Sequence, residues 1–549
     1  MEQFPGIQGK GYQLFFVVKL IMTKKSQQGN HTLKRSTFQL MLPLELEKEI
    51  EADESVHLML EITERLDYSN LNASYIRQPG ASEVSPKQMF QLVILGFMLK
   101  IYSTRKLESA CKYDTRFMYI LRGKKAPDHS RFWHFIKHRL EGEVVEHLFY
   151  QMTHYLEEAG EIDFTNVFID GTKIEANANR YSFVWKKSTN KYEANLDKKT
   201  EALLQQLFKT YPALPPESTA NQCLSSLKSL AESQHITFVH GRGKRKTQLQ
   251  RDIEILESYV TRKNKYQGYN ETFNTRNSFS KTDTDATFMR MKDDHMMNGQ
   301  LKPAYNLQLA VEGEYIVGLD ISSERSDVAT LIPLLERMEK GSGKNHRNII
   351  ADASYESEEN YKALKARNQA ACIKPTNYEK SKKRKYKTNA YLRENMPYDP
   401  ATDTYTCPQG HLFSPIRTTT RKSGSGFEST VTVYECQGCI DCPQKYQCTR
   451  AKGNRTIHVS KDFIALREES LARITSDDGK ALRLNRSIQV EGAFGVLKQD
   501  YGFKRFLRRG ATNVFTEALI FALAYNINKF HGKKNRKFSG VIMHPLKSA

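Results

Sequence analysis

Hydrophobic positions along the chain fall into two textures. Between Ser85 and Leu140 they recur at helical spacing, and Met89, Leu92, Val93, Leu95, Met98 and Leu99 cover one segment nearly all round, which predicts a buried helix. Ser85 followed by Pro86 supplies an N-cap with proline at the first helical position. Ser103-Thr104 opens a second helix through Leu107 and Cys111. Pro127-Asp128 opens a third, with Phe132, Phe135, Ile136 and Leu140 on one face. Upstream, Leu42 to Asp67 reads as a polar, acidic helical stretch, and residues 1–45 are poorly patterned. From Asn166 the pattern shifts to short apolar runs. Asn166 to Asp170 and Asn348 to Asp352 read as buried strands that each end in aspartate. Ala304 to Ile321 predicts two strands around a turn at Glu312 to Glu314, and Ala371 to Lys374 predicts another. A helix is expected from Glu358 to Ala366, and two more over Leu482 to Asp500 and Val514 to Phe530. The sum is an α/β core, interrupted by a helical, basic stretch at 188–280 and by a basic, Cys-rich stretch at 377–457.

Length and charge narrow the class. At 549 residues the chain holds more than one compact core usually does, so two to four domains are expected. Lys plus Arg outnumber Asp plus Glu by 83 to 62, a formal charge of +21, which favours a polyanionic partner, nucleic acid before membrane. The apolar run Tyr12 to Met22 is 11 residues long and contains Lys19, too short to span a bilayer. Arg105, Lys106, Arg131, Lys137, His138 and Arg139 make the helical block suit a helix-turn-helix-like DNA-binding unit; an all-helical packing domain with solvated charges fits it equally.

Two strands ending in Asp170 and Asp352 bring carboxylates to one sheet edge, where α/β folds place ligands. Such carboxylates repel unless a cation neutralises them, and hard oxygen donors suit Mg²⁺ or Mn²⁺. The competing reading is that each is an ordinary turn residue after a strand. Glu491 and Lys498, seven apart, fall on one helical face with Phe494, and Lys504, Arg505, Arg508 and Arg509 follow as a basic run that can hold phosphates. Five of the eight cysteines cluster as Cys407, Cys436, Cys439, Cys442 and Cys448, with His411 beside the first, a spacing that suits a structural tetrahedral Zn²⁺. Tyr181, Phe183 and Trp185 alternate after the first Asp strand; Trp185, next to Lys186-Lys187, is the candidate for stacking on bases, and sheet-face packing is the expectation for at least two of the three.

Three segments in combination carry a resemblance: FIDGTKIEANANRYSFVWKK (168–187), IIADASYESEENYKAL (349–364) and NRSIQVEGAFGVLKQDYGFKRFLRRG (485–510). Together they resemble a DDE transposase of bacterial insertion sequences, and LESACKYDTRF (107–117) with APDHSRFWHF (126–135) is similar to the helical domain preceding the catalytic core in one subgroup. The resemblance implies an RNase H-like mixed sheet flanked by helices. It implies that Asp170, Asp352 and Glu491 are a catalytic triad binding two Mg²⁺ or Mn²⁺ ions, with Lys498 and Arg486 as ancillary residues. In the related signature a tyrosine and an arginine precede the glutamate, the arginine with three residues between; here Arg486 is five before Glu491 and position 487 is Ser.

The organisation expected from this is an N-terminal region (1–84), a helical DNA-binding domain (85–150), and a catalytic core in parts at 160–187, 281–376 and 458–531. The helical insertion spans 188–280, a small zinc-ribbon-like insertion 377–457, and a basic tail 532–549. Implied partners are double-stranded DNA, both terminal inverted repeats and target, with a homodimer pairing two ends in the bacterial cytoplasm at the nucleoid. Random-sequence DNA would be held by Arg242 to Lys246, Lys504 to Arg509 and Lys533 to Lys537. Two other classes remain open at this point, a domesticated DNA-binding regulator and a metal-dependent nuclease of the same fold that does not join strands.

Overall fold

The computed structural model describes residues 50–544 apart from 53, 76–82, 216, 242–244, 292–298, 539, 541 and 542. The run Tyr12 to Met22 and three residues of the patch at 242–246 lie outside the described residues. The described chain opens with helices: α1 (Ser55–Glu64), α2 (Ser69–Ala73), α3 (Pro86–Met98), α4 (Thr104–Tyr113), α5 (Thr115–Leu121), α6 (His129–His138) and α7 (Glu143–Glu158). Helix α3 starts where the sequence says it should. Ser85 and Gln88 form a reciprocal capping box, with Pro86 in the first turn. Its apolar surface runs all round because it is packed on both sides, by α1, α4, α5 and α6 and by the C-terminal helix α15 (Ala511–Asn535). The helical block and the sheet therefore share one hydrophobic cluster, with Val56, Phe90, Phe168 and Ile520 all in it.

The central sheet is built from β1 (Asn166–Glu175), β4 (Thr287–Arg290), β5 (Leu301–Glu312), β6 (Tyr315–Ser322), β7 (Asn348–Ala351) and β8 (Ala370–Ile373). Its order is β4-β5-β1-β7-β8, with β6 also on β5. The long β5 runs antiparallel to β1 on one edge, while β4 and β6 share its other edge end to end. β1, β7 and β8 are parallel neighbours. The β5–β6 hairpin turns through Gly313 and Glu314, both at positive φ. A Cβ at Gly313 would lie 2.5 Å from the Glu161 carbonyl oxygen, so the turn needs glycine there.

Helices α11 (Leu331–Ser342), α12 (Glu358–Ala366), α13 (Lys461–Thr475) and α14 (Asp477–Gly495) complete the core. Helix α14 packs across β1, β5 and β7, and α15 packs on β6 and the helical block. Between β1 and β4, helices α8 (Lys186–Thr210), α9 (Ala220–Ser233) and α10 (Gln248–Phe273) form a unit with its own apolar cluster around Cys223, Leu227 and Ile253. The short pair β2 (Phe183–Trp185) and β3 (Ser278–Ser280) closes its root. Between β8 and α13 stand β9 (Tyr398–Asp399), β10 (Thr404–Thr406), β11 (Leu412–Lys422), β12 (Glu428–Cys436) and β13 (Thr456–Val459). They form an antiparallel sheet of order β13-β12-β11-β10-β9 with a separate core of Tyr405, Phe413, Tyr434 and Cys436. Among the described residues no helix is long and apolar enough to cross a membrane.

Candidate functional site

The two aspartates stand at one level of the sheet. β1 and β7 pair in parallel up to Ile169 opposite Ala351, so Asp170 and Asp352 follow at the same level on neighbouring strands. The expectation that β1 ends at Asp170 needs correcting. The strand runs on to Glu175, because Gly171 to Glu175 keep pairing with Gln308 to Ala304 of β5. Asp170 is opened instead by the loss of its other neighbour, since β7 stops at Ala351 and the chain turns away. Asp352 caps the 3₁₀ turn that follows, its Oδ1 accepting from Ser354 N at 2.7 Å and from Ser354 Oγ at 2.5 Å. Asp170 Oδ1 accepts from Gly171 N at 2.8 Å.

Arg486 reaches this point from α14. Its Nη1 lies 3.0 Å from Asp170 Oδ2, and both side chains are largely buried. Tyr355 is fully buried beneath, its hydroxyl donating to Gln308 Oε1. Burial raises the Tyr355 hydroxyl well above the ordinary tyrosine range, and the negative charges of Asp327, Asp170 and Asp352 push it further, partly offset by Arg486. Those four charges therefore all act on one buried hydroxyl. Asp327 carries no signal in the sequence because it stands five residues beyond the end of β6, in a polar loop, and not directly after the apolar run.

Glu491 behaves differently. It is exposed on α14, and its Oε1 accepts from Ser487 Oγ at 3.0 Å. The buried face of the helix carries Asn485, Gln489, Val490 and Ala493. The seven-residue spacing to Lys498 does not span two regular α-turns, because the helix widens to a π-turn over Val496–Asp500. Lys498 sits half-buried in that turn. Among the described residues no three His, Cys, Asp or Glu side chains are grouped as a metal site. Asp170 and Asp352 stand at one level on neighbouring strands, and Glu491 lies on the helix that packs across both strands.

The basic run is laced to the end of β1. Glu175 N donates to Lys504 O, Phe506 N to Glu175 O, and Arg505 Nε to Ala176 O at 3.2 Å. Arg509 Nε donates to Asn177 O at 2.7 Å. Beneath Arg508, Glu517 is buried and accepts from the backbone N–H groups of Leu507 and Arg508. Burial pushes its carboxyl up to about 7. Lys504 is exposed. Of the aromatic trio, Tyr181 is 78% and Phe183 47% exposed, whereas Trp185 is half-buried with its ring 5.9 Å from Phe288. Lys533 is no surface cation. It is buried against Glu161, its Nζ 2.9 Å from Glu161 Oε2, which leaves Lys534, Arg536 and Lys537 as the exposed part of that patch.

In the second insertion, Cys407, His411, Cys436, Cys439, Cys442 and Cys448 line one cavity. The backbone N–H groups of Gln409 and His411 point at Cys407 Sγ, at 3.3 and 3.2 Å, and Arg455 Nη1 lies 2.9 Å from Cys448 Sγ. Burial, with Cys439 and Cys407 nearby, pushes the Cys436 thiol up to about 12. In the helical block, α6 buries Phe132, Phe135 and Ile136 and turns Ser130, Arg131, Trp133, His134 and His138 outward. Trp133 is 48% exposed, and Lys137 Nζ stands 4.6 Å over its ring.

Comparison with known families yields two matches. Residues 44–138 match the Transposase domain (DUF772), and residues 406–531 match the Transposase DDE domain. The first ends at the last residue of α6; the second holds the clustered cysteines, Arg486, Glu491 and Lys498, while Asp170 and Asp352 lie outside both. No curated protein and no solved structure matches the chain. The two family matches support a DDE transposase of insertion-sequence type.

Proposed function

We propose that this transposase cuts and rejoins DNA at the ends of an insertion sequence, with Asp170, Asp352 and Glu491 as the acidic residues of one active site. The observation that carries the reading is the placement of Asp170 and Asp352 side by side where the parallel pairing of β1 and β7 stops. An RNase H-like core is supported by the sheet, in which β1, β5 and β6 are antiparallel neighbours and β7 and β8 lie parallel on the far side of β1.

Asp170 and Asp352 offer hard carboxylate oxygen donors, which fit Mg²⁺ or Mn²⁺. Such ions, held by these two residues and Glu491, would neutralise the reacting phosphate and activate the attacking oxygen. The chain's own groups then have defined tasks. Asp170 is held in place by Arg486, so its carboxylate enters the reaction already oriented. Lys498 and Lys504 grip the phosphate backbone beside the scissile bond. In the cutting step a water oxygen forms a new bond to phosphorus while the bond to the 3′ oxygen breaks, leaving a 3′ hydroxyl. In the joining step that hydroxyl attacks a phosphodiester of target DNA and expels its 3′ oxygen.

The outer face of α6, basic and aromatic with no acidic side chain, supports end recognition by the helical block. A Zn²⁺ held by four of Cys407, Cys436, Cys439, Cys442 and Cys448 would brace the second insertion. The N–H groups aimed at Cys407 Sγ fit a thiolate there. A homodimer on paired ends, working on DNA in the cytoplasm, completes the reading. It is tested by cleavage of a labelled duplex carrying the DNA that borders the gene, comparing wild type with Asp170→Asn. Loss of cutting with retained binding supports it; cutting at the wild-type rate overturns it.

A further inference from the structure

The loop between β6 and α11 delivers a carboxylate that neither the sequence pattern nor the proposed triad includes. Asp327 Oδ1 accepts from two amides of β5, Asn306 Nδ2 at 2.7 Å and Gln308 Nε2 at 3.1 Å, and both amide residues are buried. Those residues stand opposite Lys173 and Gly171 of β1, so Asp327 is pressed against the strand that carries Asp170. A Cβ at position 171 would lie 2.4 Å from Gln308 Nε2 and 2.7 Å from Asp327 Oδ1. Glycine after Asp170 is therefore what lets Asp327 approach.

The other oxygen faces Asp352. Ser354 Oγ lies 3.0 Å from Asp327 Oδ2 and 2.5 Å from Asp352 Oδ1, so one hydroxyl, with a single proton to give, bridges the two carboxylates. The loop itself is pinned. The Asp327 carbonyl accepts from Thr330 N and from Thr330 Oγ1, and the next carbonyl, Val328, accepts from the buried Asn360 amide. β5 and the turn after β7 thus meet at Asp327, which reaches the proposed site through Ser354 and Gln308.

We propose that Asp327 is a positioning residue of this site, which aims the Asp352 carboxylate through the Ser354 hydroxyl. The proposal rests on the reading of Asp170 and Asp352 as the residues that support strand cleavage. A residue that merely anchored its loop would change stability alone. A residue that aims Asp352 also changes the concentration of divalent cation the reaction needs, and it does so through Ser354.

The test is nicking of a supercoiled plasmid carrying the gene's flanking DNA by the full-length protein, titrated with Mg²⁺ and separately with Mn²⁺. Outer-shell residues of this kind are worth about 10–100-fold in activity or metal affinity. Asp327→Asn is expected to lower the rate and raise the half-saturating Mg²⁺ concentration within that range, with binding of the same plasmid unchanged. Ser354→Ala should reproduce the raised Mg²⁺ requirement, and the double variant should be no worse than Asp327→Asn alone. Asp327→Glu should recover part of the rate. Wild-type titrations for Ser354→Ala, or losses that multiply in the double variant, overturn the proposal even if Asp327→Asn fails to fold. Asp170→Asn runs alongside. If it too nicks at the wild-type rate, or if the wild type does not nick, the underlying reading has failed; if only Asp170→Asn is inactive, the positioning role alone has failed.

Discussion

Replacing Lys533 separates fold from function, because its place in a basic run, Lys533 to Lys537, reads as a DNA contact and its surroundings do not. The side chain is 5% exposed and pairs with Glu161, itself 2% exposed, at 2.9 Å. Its Nζ also donates to Gly313 O at 2.9 Å and lies 4.4 Å from the centre of the Tyr315 ring. Glu161 in turn accepts from the Tyr315 hydroxyl and from Gly540 N. Two unit charges at that separation attract by about 6 kcal/mol at an effective dielectric near 20. Much of that is offset by desolvation, but removing one partner strands the other charge, which costs about 3–5 kcal/mol. Lys533→Met should therefore lower stability by about that amount, read from urea unfolding followed by circular dichroism. Adding Glu161→Gln should restore part of the loss, since it removes the stranded charge, its one amide oxygen can accept from Gly540 N and its NH₂ can donate to the Tyr315 hydroxyl oxygen. The salt dependence of DNA binding should not change. A stable Lys533→Met protein with a reduced salt slope would refute the reasoning and return Lys533 to the DNA surface.

Three further outcomes are expected. Glu517 is buried with its carboxyl raised to about 7, so the folded state holds its proton more tightly than the unfolded one. Its contribution to stability is complete below the ordinary carboxylate range and is lost as pH rises through about 7. Glu517→Gln should flatten that part of a stability-versus-pH curve, and an unchanged slope would contradict the assignment. Elemental analysis should find one Zn²⁺ per chain, absent after Cys439→Ser with Cys442→Ser; zinc unchanged by the pair would place it elsewhere. Arg131→Ala with Lys137→Ala on α6 should weaken preference for end DNA over scrambled duplex and lower the log–log salt slope by about 0.9 for each phosphate no longer neutralised. Preference retained in full would move end recognition away from α6. Surface substitutions are the right tool here, because deleting the helical block would strip α3 from the core it shares with α15.

What the sequence reveals of this molecule follows the range of the forces involved. The Ser85 cap, the helix at Glu358–Ala366 and the β5–β6 hairpin rest on neighbours within a few residues, and all are where local pattern puts them. The strand ends are less legible. Gly171 and Thr172 look like the exit from a strand, yet β5 keeps them paired, and only the end of β7 frees Asp170. Asp170 and Asp352 are visible because each follows an apolar run. Asp327 is not, because its partners come from β5 and from Ser354, far away in the chain. The Arg486 to Asp170 pair spans 316 positions, and only the resemblance points to that arginine. Lys533 misleads for the converse reason: charge in a run of charge says nothing about a buried partner on another element.

The central claim is that the acidic residues carry strand cleavage and contribute little to holding DNA. The most direct measurement compares Asp170→Asn, Asp352→Asn and Glu491→Gln with wild type on one labelled duplex carrying the gene's flanking DNA, in Mg²⁺. Cleavage and binding are read from the same samples. Each variant is expected to bind the duplex about as tightly as wild type and to leave it uncut. Cutting by Asp170→Asn or Asp352→Asn at near the wild-type rate would contradict the claim outright. Cutting by Glu491→Gln alone would strike Glu491 from the site and leave the two strand-borne aspartates as its acids.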